Sequence, residues 1–132
     1  MQMVIERRVC QRVPVQVSVI VTTEDGVRIR AVAVDISSGG LGVECNTKQR
    51  NMITPGGSFV RDGKPVSVFV DLNLGDEDGQ VSKIEARCHV AFSRRISSDQ
   101  CKIGLRYVDI EDNGHEWLVR FTEKALMTKN NG

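Results

Sequence analysis

Two short clusters carry most of the chemistry in this chain of 132 residues. The first is Arg7-Arg8-Val9-Cys10-Gln11-Arg12, three guanidinium groups around a thiol. The second is Asp35-Ile36-Ser37-Ser38-Gly39-Gly40, a carboxylate and hydroxyls running into paired glycines. Arginine's planar fork of N–H donors suits bidentate contacts to anions. A corner of Asp, Ser and Gly offers side-chain acceptors and donors beside bare backbone N–H groups. With no Cβ at the glycines, something large or anionic can come close. Each cluster alone also has a plain reading, a solvated basic tail and a polar turn between strands. Taken together, Arg7, Arg8, Arg12, Asp35, Ser37, Gly39 and Gly40 are the candidate binding residues. Catalysis finds less support. The two histidines, His89 and His115, fall on a strand's alternate face and at a helix start, and neither is near a candidate nucleophile in sequence.

Composition bounds the rest. A mass of 14.6 kDa suits one domain with a real core, and the expected unit is a single domain over 1–132. With 40% hydrophobic and 27% charged residues and a formal charge of +1, bulk electrostatic binding to nucleic acid or membrane is disfavoured. Any basic site must be local. No apolar run is long enough to span a bilayer, and the N-terminus turns basic after its apolar residues, the reverse of a signal peptide. A cytoplasmic location is expected. Cys10, Cys45, Cys88 and Cys101 are scattered without a CxxC pair, so no metal site and no cofactor are expected. They read as reduced thiols, with Cys88 a small hydrophobe in a strand.

Alternation must position the clusters. Val13, Val15, Val17, Val19 and Val21 mark a half-buried strand. Pro14 restricts its start to a place where no ladder N–H is needed. Asp25-Gly26 signals a hairpin, and the return strand, Val27 to Val34, sets Val27, Ile29, Ala31 and Ala33 on one face. Leu41 to Cys45 resumes extended structure after the glycines. Residues 46–63 read as a long, turn-rich connection. Pro65 to Leu74 is the next strand, followed by the acidic turn Gly75-Asp76-Glu77-Asp78-Gly79. Ile84, Ala86, Cys88, Val90 and Phe92 then share one strand face, and Ile103, Leu105 and Tyr107 share another. From Gly114 the period turns helical, with Trp117, Leu118, Phe121 and Ala125 on one stripe and Leu126 beside it. About six strands and one helix predict a mainly β fold. The expected form is a six-stranded antiparallel, Greek-key-like barrel closed by one C-terminal amphipathic α-helix. Its parts are an N-terminal arm (1–12), the barrel (13–109), the helix (113–127) and a tail (128–132).

The motifs resemble those of a known family. Arg8-Val9-Cys10-Gln11-Arg12 matches RxxxR, Asp35-Ile36-Ser37-Ser38-Gly39-Gly40 matches DxSxxG, and Gly104-Leu105-Arg106-Tyr107 resembles a Gly-hydrophobe-x-aromatic signature on a late strand. In this order and around a barrel pattern they resemble the PilZ family of bacterial cyclic di-GMP receptors, from about Arg7 to the last helix. Segment 46–63 is richer in turns than the family's usual connection. The resemblance implies a ligand held between arm and barrel, and no enzymatic activity. Arg7, Arg8 and Arg12 would then meet phosphates and guanine edges, Asp35 would accept from guanine N1–H and N2–H, and Ser37 would donate to a phosphate or base edge. Extended, Arg8 and Arg12 would stand roughly 13 Å apart, against about 5–6 Å on a helical turn, so the arm is expected to fold over the ligand in a turned shape. Arginine at position 7, just before RxxxR, goes in PilZ-like domains with an intercalated ligand dimer. Two cyclic di-GMP molecules per chain are therefore expected.

The output of such a receptor requires an unidentified effector protein, with the chain itself a monomer or weak homo-oligomer and no DNA, RNA or membrane insertion expected. The alternative within the family is a ligand-independent adaptor, whose members usually lack one or both motifs. An oligonucleotide-binding barrel would need exposed aromatics along a basic groove, whereas the aromatics here mostly fall on core-facing stripes.

Overall fold

The computed structural model describes residues 11–75 and 79–131, the side chains of 128–131 excepted. Its elements in chain order are strands β1 (Val13–Thr22), β2 (Arg28–Ile36) and β3 (Gly40–Cys45), helix α1 (Thr47–Ile53), and a 3-10 turn at Pro55–Gly57. Strands β4 (Val60–Arg61), β5 (Lys64–Pro65), β6 (Ser67–Gly75), β7 (Val81–Ser97) and β8 (Gln100–Ile110) follow, and helix α2 (Gly114–Asn131) comes last. Six of the strands close a barrel in the order β1-β2-β3-β8-β7-β6, and β4 with β5 forms a separate small hairpin. Each barrel pairing is antiparallel. The expected barrel is therefore the observed one, and closure leaves it no free edge.

Period-two patterning builds the core. Val19, Val21, Ala33, Ile36, Leu41, Val43, Val70, Ile84, Ala86, Cys88 and Ile103 are fully enclosed, part of an interior of aliphatic chains that also buries the thiols of Cys45 and Cys101. Helix α2 adds Leu118, also fully buried, with Trp117, Phe121, Ala125 and Leu126 packed against the same cluster. The helix runs to Asn131, beyond the expected end at 127.

The connection after β3 departs from the expectation. Asn46 caps α1 with its side chain on the Gln49 N–H, while the Gln49 side chain accepts from the Asn46 N–H, a reciprocal capping box. Ile53 anchors the helix by burial. The turn-rich connection thus holds a helix whose start signal is Asn46-x-x-Gln49. The expected acidic turn at Asp76–Asp78 lies outside the described residues.

Two bulges matter for the surface. Between β2 and β3 the register shifts from Ala33↔Val43 to Asp35↔Gly42, leaving Val34 as the extra residue. Between β7 and β8 it shifts from Val90↔Leu105 to Phe92↔Gly104, leaving Ala91 extra. A one-residue bulge reverses the face of every side chain beyond it. Asp35, which unbroken alternation with Ala33 would send into the core, turns outward. Phe92, expected on the face of Val90, also turns outward. With Gly42↔Gly104 paired between β3 and β8, Asp35, Gly42, Gly104 and Phe92 make one lateral row across four strands of the outer face. Phe59 is likewise exposed, at 41%. The aromatics are thus less core-bound than the stripes suggest.

Candidate ligand-binding site

Asp35 is the centre of the described site. Its Oδ1 accepts from Arg12 Nη1 at 2.5 Å and its Oδ2 from Lys102 Nζ at 2.8 Å. Arg12 comes from the segment leading into β1, Lys102 from β8, and the two cations bracket a carboxylate only 15% exposed. The bracket depends on Gly42. A Cβ there would stand 2.8 Å from Asp35 Oδ2 and 2.8 Å from Lys102 Cε, so the lysine reaches the carboxylate across bare backbone. Burial alone would push the Asp35 carboxyl upward. The hydrogen bonds and charges of Lys102 and Arg12 outweigh it and hold the group below its ordinary value. At neutral pH it is an anion with its charge compensated. Each carboxylate oxygen still has a second acceptor direction for an incoming N–H.

The turn between β2 and β3 is built from within. Ser37, 2% exposed, accepts at Oγ from the N–H groups of Gly39 and Gly40, both at 3.1 Å, and lies 3.3 Å from the Gly40 carbonyl oxygen. The Ser37 N–H donates to that same carbonyl at 2.8 Å. Gly40 is glycine for packing, because a Cβ would meet the Leu105 carbonyl oxygen at 2.1 Å. The Gly39 carbonyl accepts from the Tyr107 N–H at 3.0 Å, tying the corner to β8. Ser37 and Gly40 therefore hold the loop that carries Asp35, with the Ser37 hydroxyl directed to that loop. Arg7, Arg8 and Cys10 lie outside the described residues.

Sequence reading missed Lys102 and Gly42. Gly42 follows the second motif by two residues, and an exposed-face glycine inside a strand is a signal of close approach. Lys102 carries no local signal. It becomes a site residue only through the β3–β8 register, which sets its pair Glu44↔Lys102 two residues along from Gly42↔Gly104, on the same outer face.

Below the site the interior is apolar and inert. Burial pushes the thiols of Cys45 and Cys88 up to about 11 and about 12, unlike reactive cysteines. The Tyr107 hydroxyl is buried and has no hydrogen-bond partner among the described residues. Its acidity is suppressed chiefly by burial.

Fold and site define a small closed β-barrel that carries, on its outer face, a carboxylate bracketed by Arg12 and Lys102. The PilZ domain model matches residues 6–124, and the chain belongs to that family. Among solved structures, the Bacillus subtilis inhibitor of motility MotI/DgrA is similar at a TM-score of 0.64 and 21% identity, over 91% of this chain and 50% of that one. The Borreliella burgdorferi PlzA protein, solved in complex with c-di-GMP, is similar at a TM-score of 0.57 and 6% identity, over 89% of this chain and 52% of that one. The chain thus spans about half the length of each, and the likeness is one of fold. No curated protein matches the sequence. No helix among the described residues is long and apolar enough to cross a membrane.

Proposed function

We propose that this chain is a cytoplasmic, non-enzymatic receptor for cyclic di-GMP that relays binding to an effector protein through its N-terminal arginine arm. The observation that carries the reading is the ion pair between Arg12 and Asp35. It joins the last arginine of RxxxR to the first residue of DxSxxG across 23 residues of sequence. One residue of each motif, Arg12 and Asp35, thus meets the other in space, which supports reading the two motifs as parts of one site. Membership of the PilZ family and the fold shared with a protein solved with c-di-GMP support the same reading. The pairing also suggests the relay. A guanine edge donating N1–H and N2–H to Asp35 competes with Arg12 for the carboxylate, and the released guanidinium is then available to a phosphate. Binding would re-dock the arm, presenting a changed surface to the effector. On this reading Arg7 and Arg8 complete the anion site, and a third guanidinium at Arg7 offsets the repulsion of two stacked ligands per chain.

Calorimetric titration of the purified chain with cyclic di-GMP tests the proposal. Wild type should bind with an end point at two equivalents. Arg12→Ala should lose about 2–4 kcal/mol of binding, the scale of a charge-assisted contact at an interface. Absence of both heat and thermal shift at high micromolar ligand would favour the ligand-independent adaptor instead. A clean end point at one equivalent would remove the stacked pair and leave the receptor.

A further inference from the structure

We propose that Cys45 and Cys101 are a redox-responsive pair, two thiols placed to close a reversible disulfide between β3 and β8. They form the last rung of that ladder, directly opposite one another. Both are free, and both are buried, at 4% and 0% exposure. The phase of the ladder fixes their spacing. The Tyr107 N–H donates to the opposite Gly39 carbonyl at 3.0 Å, and steps of two from that pair make Cys45↔Cys101 a hydrogen-bonded rung. The Cα atoms of such a rung stand about 5.5 Å apart, within the span of a disulfide. Their Cβ atoms, also about 5.5 Å apart, must close to about 3.8 Å. The bridge therefore keeps the fold but forms under strain, and strained disulfides are the readily reduced ones. Disulfides of reducing compartments are mostly of this transient, redox-sensing kind.

In the closed barrel neither thiol reacts, because each is shut away from solvent. The rung lies at the end of its ladder, where opening is local. Beyond it the chain is tied at the surface, the Thr47 N–H donating to Asp99 Oδ1 at 3.2 Å. Once this end opens, Cys45 loses the burial that suppresses its thiolate and keeps the charge of Arg50, which favours it. The oxidant is a low-molecular-weight disulfide. The Cys45 thiolate attacks one of its sulfurs, the S–S bond breaks, and one small thiolate leaves and takes up the proton that Cys45 released. The Cys101 thiolate then attacks the Cys45 sulfur of the mixed disulfide, and the second small thiolate leaves with the proton from Cys101. Two electrons thus pass from the protein's thiols to the small disulfide, which is reduced to two small thiols. Lys102 follows Cys101 directly and holds Asp35 at 2.8 Å. Drawing Cys101 toward β3 therefore shifts the cation that brackets the carboxylate.

The test is to incubate the full folded chain with excess oxidised glutathione, alkylate the remaining thiols in denaturant and map the peptides by mass. Tryptic peptides carrying Cys45 and Cys101 should appear joined, and dithiothreitol should separate them. A Cys10→Ser chain should form the same link, and a Cys88→Ala chain should form it too. Glutathione adducts without that link, or a link that forms only in denaturant, overturns the pair. The effect on Lys102 rests on the cyclic di-GMP reading above. The oxidised chain should bind cyclic di-GMP about threefold more weakly than the reduced chain, the scale of one partly exposed ion pair. Equal affinities overturn the coupling to Lys102. Absence of binding in both states overturns the receptor reading, while the joined peptides decide the disulfide by themselves.

Discussion

Lys102 crosses the bare backbone of Gly42 to reach Asp35, 67 residues away in sequence, and closes the second side of a carboxylate already held by Arg12. Neither family-like motif contains Lys102. It is nevertheless the less exposed of the two cations on Asp35, 20% against 49% for Arg12. Replacing it with Met keeps the stem and deletes the charge. Stability should fall by less than about 1 kcal/mol, because Arg12 still partners the carboxylate and partly exposed pairs contribute little. Cyclic di-GMP binding should weaken, with a shallower dependence on salt, since one cation fewer faces the phosphates. Titrations of both proteins at two ionic strengths check this, and parallel salt slopes would exclude Lys102 from phosphate contact.

Gly40 and Gly42 should respond differently to alanine. At Gly40 the new methyl would meet the Leu105 carbonyl oxygen at 2.1 Å, and backbone in a closed barrel yields little. Gly40→Ala should destabilise by about 2–3 kcal/mol, the usual scale of overpacking. At Gly42 the crowding atoms are the Asp35 carboxylate and the flexible Lys102 stem. Gly42→Ala should therefore fold nearly as well as wild type but part Lys102 from Asp35 and weaken ligand binding. Thermal melts and titrations of the two variants separate these effects.

The barrel was legible because its strands repeat hydrophobic residues every second position, and a closed sheet has few other ways to bury them. The site was legible in part, since the two motifs announce residue types that suit an anion. Two features escaped for a common reason. Alternation predicts faces only while register holds, and the bulges at Val34 and Ala91 break it where Asp35 and Phe92 must turn outward. Nothing in Ala33-Val34-Asp35 or Val90-Ala91-Phe92 marks a bulge by composition. The helix Thr47–Ile53 escaped because it lacks an apolar stripe, and its capping box was the single available signal.

The folded-state carboxyl of Asp35 lies below its ordinary value of 3.8, so its pairing contributes stability that is fully present above that value. The contribution is lost as the pH falls through the lower folded value. Wild type should therefore exceed Asp35→Asn in stability at neutral pH, with a gap that is flat down to about pH 5 and closes below it. Denaturant melts of both proteins between neutral pH and pH 3 measure the gap. A gap that widens on acidification would contradict the pairing.

Tyr107 carries a buried hydroxyl without a partner among the described residues, beneath the strand corner that the Gly39 carbonyl ties to its N–H. An unsatisfied buried hydroxyl costs about 1–3 kcal/mol, and removing it can restore that amount. Tyr107→Phe should fold at least as stably as wild type, with ligand affinity unchanged. A clear loss of stability in thermal melts would reveal a hydrogen bond to the Tyr107 hydroxyl.

Ser37 distinguishes a loop-building motif from a ligand-reading one. Its hydroxyl oxygen accepts from the N–H groups of Gly39 and Gly40, and the whole residue is 2% exposed. Ser37→Ala leaves two N–H groups at the corner without that acceptor, at a cost of about 1–2 kcal/mol. The loss should appear as a lower melting temperature in the absence of ligand. Affinity should fall as well, because the loop that presents Asp35 loosens, and the loss should be similar for cyclic di-GMP and for other cyclic dinucleotides. A hydroxyl that instead donated directly to the ligand would leave the unliganded melting temperature untouched and lower affinity alone. Paired melts and titrations of Ser37→Ala tell the two apart, and unchanged melting with weakened binding would overturn the structural role drawn from these contacts.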